Sequence, residues 1–358
     1  MAAVAPIAEA GHRRKIQDSL LRRKYVIPFL LACVILFCNT ATGVNSIIGY
    51  NTGILLQSGL SDLGAHWGYV FFTIVNFLAT TIGMTLVDRR GRRFLLILGA
   101  SGVIVSLAGV GLLFRTTERQ AVNARAAVQA LAGPGQELQL SFTPGEAQKL
   151  LKAAGYAGSA IRADRASLAI IYSYGDFTAA TDYARSDEAA ASIDITRANC
   201  VPTNRVEAFF QNPFGDLHAA ESAPLRIEKA NIGTIPDAAH GWLVALGLYV
   251  FMSFFALGPG VVVWLALSEL MPTRIRSNGM SIALVINQLV STTLAGIFLP
   301  FVSRHGYAAM FFLFASFTAV YLVTAIFFLP ETKEKTLEEI EAYFERRGAA
   351  GSASAEIP

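Results

Sequence analysis

The chain has 358 residues, 53% of them hydrophobic and only 15% charged, with a mean hydropathy of +0.47 and a formal charge of +3. Soluble domains carry about 25% charged residues, so this composition excludes an ordinary soluble enzyme, and the small charge excludes a nucleic-acid-binding surface. Cys33, Cys38 and Cys200 are too few and too scattered for a disulfide framework or a zinc site, and no cofactor is implied.

Residues 1–24 carry the basic run from His12 to Lys24 and read as a cytoplasmic linker. A bilayer core of about 30 Å takes roughly 20 apolar residues of helix. Six stretches reach that length with no Asp, Glu, Lys or Arg: 26–56, 67–87 and 94–114, then 242–268, 280–302 and 307–329. The first is too long for a cleaved signal. The chain therefore reads as an all-α polytopic membrane protein, with three transmembrane helices in residues 25–114 and three in 241–329.

Charge placement sets the expected orientation. With the N-terminus in the cytoplasm, the short segments on that side hold sixteen Lys and Arg residues, and the short outer segments hold only Arg304. Both termini, including the tail 330–358, are expected to face the cytoplasm from the cell membrane. Residues 115–240 form a composition shift of 126 residues between the third and fourth spans, rich in Ala, Gly, Asp and Arg. They read as a partly ordered extracytoplasmic insert. Thr143-Pro144-Gly145-Glu146, followed by 147–154 and Gly155, predicts one capped helix. Residues 168–172 predict a short strand. Asp176, Asp182 and Asp194 are isolated there, and His218 and His240 lack metal-ligand spacing.

Several motifs punctuate the spans. Gly43-Val44-Asn45 lies in the first. Asp88-Arg89-Arg90-Gly91-Arg92-Arg93 separates the second from the third, where Gly91 permits a tight reversal. Gly258-Pro259-Gly260 leads to Trp264 in the fourth, followed by Ser268-Glu269 and Pro272-Thr273-Arg274-Ile275-Arg276. Pro330-Glu331-Thr332-Lys333 opens the tail and runs on to Leu337-Glu338-Glu339-Ile340. This set, in this order, resembles the C-terminal half of the sugar porter family of the major facilitator superfamily, helices seven to twelve. The usual paired glutamines of the seventh helix are Asn39 and Thr40 here. The paired tyrosines are Gly49 and Tyr50, and Val261 stands where proline is common.

The resemblance implies a carrier that moves a sugar or polyol by alternating access, and not an enzyme. It also implies that the first six helices are missing, so the chain reads as truncated. The expected partners are membrane lipid and either the missing half bundle or a second copy. The rival reading is a half-length relic, accessory subunit or membrane sensor that transports nothing.

Amide side chains both donate and accept, as sugar hydroxyls do, and a Trp face stacks on the apolar face of a pyranose ring. A polar group inside a span usually faces the bundle interior or a watery cavity. Asn39, Thr40, Asn45, Asn76, Trp264, Asn287 and Gln288 are therefore the candidate substrate contacts, and the resemblance assigns Asn45, Asn76, Trp264 and Asn287 to that role. Interhelical hydrogen bonds worth about 0.6 kcal/mol are the alternative use of such amides. At 100° per residue, Asn39 and Asn45 point 120° apart on a straight helix. Gly43, Gly49 and Gly53 would let it unwind, and Pro259 marks a second break. No acid lies within a span, so no proton relay is visible. Asp88, Arg89, Arg92, Arg93, Glu269 and Arg276 sit at helix ends on one face, where the resemblance implies a cytoplasmic gate of salt bridges.

Overall fold

The computed structural model describes residues 23–331 and Glu339, apart from 134, 157–160, 182, 189–190, 206, 209–211 and 213–214. The basic linker up to residue 22 and the tail motif beyond Glu331 lie outside the described residues. Each charge-free stretch is largely helical, and among the described residues six helical segments are long and apolar enough to cross a membrane. The chain is a multi-pass membrane protein.

The first span is interrupted twice, into α1 (Arg23–Ala41), α2 (Val44–Gly49) and α3 (Asn51–Gln57). Gly43 makes the first break at φ +81°, and a Cβ there would overlap the Phe314 ring, so only glycine fits. Tyr50 makes the second, its ring stacked on Phe298 at 4.5 Å. By contrast, nothing packs where a side chain on Gly49 or Gly53 would project.

Next, α4 (Asp62–Arg90) starts under the Ser61 side chain, which accepts the Gly64 N–H. It reverses at Gly91 into α5 (Arg92–Glu118). After the insert, α9 (Ala238–Phe255) passes through a wider π segment, Ala256–Gly260, into α10 (Val261–Leu270). Pro259 has no N–H to complete the ladder there. The bundle closes with α11 (Arg276–His305) and α12 (Tyr307–Phe327).

Packing is tightest where α5 meets α12 and the π segment. A Cβ on Gly99 would come within 2.9 Å of the Gly258 Cα, and one on Gly258 would overlap the Leu95 carbonyl oxygen. The two backbones therefore touch directly, the small-residue contact by which membrane helices gain van der Waals packing. Around it lie two apolar clusters, one including Ile47, Leu107, Phe251 and Phe311, the other Leu36, Leu96, Val263 and Tyr321. Burial is uneven across the bundle. About half of the most apolar stretch of α5 is buried, but only 22% of that of α4 and 11% of that of α11. Those two helices present most of their length to the outside of this bundle.

The insert is far more structured than its composition predicts. The capped helix appears as α7 (Pro144–Ala153), with the Thr143 hydroxyl accepting the Glu146 N–H and Gly155 at φ +82° behind it. The short strand is the middle of β3 (Ala166–Tyr174). This strand pairs antiparallel with β7 (Leu225–Thr234), β4 (Phe177–Ala180) and β5 (Ala184–Arg185). With β1 (Val122–Asn123) beyond β7 they form a five-stranded sheet, and β2 (Leu138–Ser141) pairs with β6 (Ser192–Ile195) in a second. Two short helices, α6 (Arg125–Gln129) and α8 (Leu217–Ser222), complete it. Leu168, Ile170, Ala230 and Ile232 alternate onto one face of the sheet and are fully buried in a core of the insert's own. Each large apolar side chain so buried contributes roughly 1.5–3 kcal/mol.

Arg185 ties the insert to the bundle. Its guanidinium, 10% exposed, is held by Asp187 at 2.9 and 3.0 Å and donates to the Leu56 and Leu60 carbonyls at 3.0 and 2.8 Å, at the end of α3. His240, in the first turn of α9, meets the Ser58 carbonyl at 3.1 Å.

Candidate functional site

Six of the seven predicted contacts line one cavity of about 270 Å³ in the bundle: Asn39, Thr40, Asn45, Asn76, Trp264 and Asn287. Gly43 is what brings the first three together. The left-handed turn between α1 and α2 re-aims Asn45, so two amides that a straight helix would point apart both reach the cavity. The π segment does the same from the other side, with Ala256 and Gly260 in the wall and Trp264 one turn further on.

Hydrogen bonds hold the polar rim across elements. Thr40 Oγ1 donates to Asn287 Oδ1, joining α1 to α11. Asn45 Nδ2 donates to Ser291 Oγ at 2.8 Å, joining α2 to α11. Asn76 Oδ1 accepts from Thr80 at 3.4 Å on the same helix. Asn39 is 6% exposed, and its Oδ1 finds no partner among the described residues. An unpaired buried carbonyl is costly, and this one lines a cavity. Trp264 is 41% exposed and supplies the apolar wall. Such a mixture of an indole with neutral amides and a hydroxyl suits an uncharged ligand with several hydroxyls. Gln288 does not line the cavity. It lies one residue beyond Asn287 on α11, on the exposed side.

The second predicted cluster lies at the end of the bundle remote from the insert. Arg92 Nη2 binds Glu269 Oε1 at 3.0 Å and lies 3.9 Å from Asp88. Arg93 donates from Nη2 to the Ile326 carbonyl, and Arg276 Nε donates to Met271 O at 3.3 Å. Arg89 occupies the last turn of α4 beside them. Glu331, within the tail motif, has a role that its place in the sequence does not assign. Its carboxylate accepts the backbone N–H groups of Arg92 and Arg93 at 3.0 and 3.2 Å, capping α5. The only advance signal was an acid just past the last span. Among the described residues, Arg92 Nε, Arg93 Nε and Arg276 Nη2 are buried without a hydrogen bond, and no cluster of His, Cys, Asp or Glu could hold a metal ion.

Comparison with known proteins bears on the same helices. The family model described as sugar (and other) transporter matches residues 3–133 and 228–344, which leaves out most of the insert. The human proton myo-inositol cotransporter is 27% identical over 89% of this chain and 44% of its own length. The mouse solute carrier family 2, facilitated glucose transporter member 10, is 24% identical over 85% of this chain and 49% of its own. A polyol transporter of Arabidopsis thaliana, described as probable, is 38% identical over 30% of the chain. The crystal structure of a double-tryptophan mutant of XylE aligns with 93% of this chain and 46% of its own, at a TM-score of 0.51 and 17% identity, a likeness of fold. The chain thus spans about half the length of these human and mouse relatives.

Proposed function

Because the chain belongs to the sugar (and other) transporter family, we propose that it supplies one six-helix bundle of a carrier that moves a sugar or polyol across a cell membrane by alternating access. The observation that carries this reading is the cavity itself: neutral amides and an indole from four spans converge on one space between two broken helices. Broken helices flanking a site near the middle of the membrane are how secondary transporters expose backbone and side chains to substrate. The names of the human and mouse relatives, a myo-inositol cotransporter and a glucose transporter, support the substrate class.

In this reading the Gly91 turn and both termini face the cytoplasm, and the insert lies outside. The Arg92–Glu269 pair then latches the cytoplasmic side. A second bundle, from a preceding segment, a separate chain or a second copy, covers the exposed faces of α4 and α11. The test is uptake of labelled myo-inositol, glucitol and glucose into proteoliposomes of the complete carrier, with Asn287→Ala as control. Saturable uptake of one of them that is weakened in Asn287→Ala supports the reading. Uptake of none, or uptake indifferent to that change, removes it.

A further inference from the structure

A second cavity, of about 180 Å³, lies between the insert and the outer end of the bundle. It exists because of the register of β3 against β7. Ser167 faces Gly233 and Ala169 faces Asn231, so the face turned toward the bundle carries small side chains while Leu168, Ile170 and Ile232 fill the insert's core. The opposite wall is Phe114 and Glu118 of α5 with Tyr307 of α12. Tyr183 reaches over from the insert, its ring 6.1 Å from that of Tyr307.

The lining is polar and balanced in charge. Glu118 is matched by Lys229, and both are occupied. The carboxylate accepts the Tyr307 and Ala308 N–H groups, and the ammonium donates to the Arg304 carbonyl at 2.8 Å. The remaining polar groups are the Tyr183, Ser167 and Thr117 hydroxyls, the Gln57 and Asn231 amides, Thr234 Oγ1 and the His305 imidazole, whose Nδ1 meets the Phe301 carbonyl at 3.3 Å. Thr234 Oγ1 is buried with no partner among the described residues. Burial pushes the Tyr183 hydroxyl up, so it stays protonated and able to donate. The volume is below the roughly 300–1,000 Å³ of a drug-sized site.

We propose that this cavity is a second binding site, shared by the insert and the bundle, for one small neutral polyhydroxylated molecule. Mixed donors and acceptors with an aromatic wall, and a carboxylate offset by an ammonium that are both already bonded, select such a molecule over an ion. The same chemistry could be presented by a soluble polyol or by a polyol headgroup of a lipid. The inference stands on this cavity alone and does not require the central one to bind substrate.

The experiment uses the full chain in phosphatidylcholine nanodiscs, with myo-inositol, glucitol and glucose as probes. Equilibrium dialysis reports binding, and hydrogen exchange reports its place. A probe at this site slows exchange at residues 229–236 and 302–308. Gly233→Val, whose Cβ would sit an ordinary 3.5 Å from Ser167 Oγ, fills the space and abolishes that protection. Thr234→Val keeps the shape, deletes the hydroxyl and weakens binding about 2- to 12-fold. Asn287→Ala leaves protection at these two segments intact, so failure of the central site is told apart from failure of this one. In a second arm, nanodiscs carrying phosphatidylinositol and no soluble probe show the same protection if the occupant is a headgroup. Protection in neither arm means the cavity holds only water. That result overturns the proposal, as does binding unchanged in both variants.

Discussion

Glu118 and Glu331 cap opposite ends of one antiparallel helix pair. Glu118, the last residue of α5, accepts the Tyr307 N–H at 2.6 Å and so closes the start of α12. Glu331, just past α12, accepts the Arg92 and Arg93 N–H groups and closes the start of α5. Each carboxylate accepts the first N–H groups at the positive end of a helix dipole, which have no partner within their own helix. Each also sits against a glycine, Gly306 at φ +89°, ψ 165° and Gly91 at φ +89°, ψ 158°.

That backbone region is essentially closed to other residues, at a cost of about 1–3 kcal/mol. A Cβ on Gly306 would lie 2.5 Å from Glu118 Oε2, and one on Gly91 would lie 2.8 Å from Glu331 Oε2. Gly306→Ala and Gly91→Ala should each lower stability by at least about 1–3 kcal/mol, read by thermal unfolding in detergent. Unchanged melting in both would show that the caps are dispensable.

Substrate contact predicts a different signature. Asn45→Ala and Asn76→Ala in a complete carrier should raise KM about 2- to 12-fold, the worth of one hydrogen bond to a neutral ligand. Insertion into the membrane should be unaffected. Gln288→Ala, outside the cavity, should transport with wild-type kinetics. Equal effects from all three substitutions would place the site elsewhere.

Cytoplasmic closure is tested at Glu269. Glu269→Gln keeps the shape but removes the charge that meets Arg92 at 3.0 Å. An ion pair of this partial exposure is worth about 1 kcal/mol, so the population should shift up to about fivefold toward the inward-open state. Labelling rates of a cysteine introduced near the Gly91 turn measure the shift. Rates equal to wild type would leave Arg92–Glu269 as an anchor and no latch.

The tether between insert and bundle carries a pH signature. The Arg185 guanidinium holds the Asp187 carboxyl below the usual carboxylate range. A depressed folded-state pKa stabilises above the unfolded value and loses that stabilisation as pH falls through the folded one. The tether should therefore be constant from neutral pH down to about 4 and weaken only below that. Arg185→Ala deprives the Leu60 carbonyl of this donor and leaves the Leu56 carbonyl only the Gly59 N–H at any pH, and should speed amide exchange at residues 57–60 by about tenfold. Exchange at 57–60 that stays slow in Arg185→Ala would mean that His240 alone suffices.

Membrane spans were legible in the sequence because each is a local property: an uninterrupted run without charge. The breaks at Gly43 and Pro259 were legible for the same reason, since glycine and proline act on their own residues, and with them came six of the cavity's side chains. Gln288 stays outside the cavity because its neighbour Asn287, 100° away on the same helix, takes the inward position. The insert's sheet was hidden, since β3 finds its main partner β7 some fifty residues later and no local pattern encodes that pairing. Glu118 and Glu331 were hidden too. Their partners are backbone groups about 190 and 240 residues distant in the chain, which carry no residue signature.

The contact of Gly99 with Gly258 brings bare backbone against bare backbone at the widened turn of the fourth span. Side chains elsewhere in the bundle interlock, so sliding one helix past another there means resetting rotamers and opening gaps. Here there is nothing to reset. Any pivoting of α10 against α9 turns on a bearing without teeth, and its resistance comes from the neighbouring side chains alone. A single methyl at Gly258 would drive a wedge into that bearing.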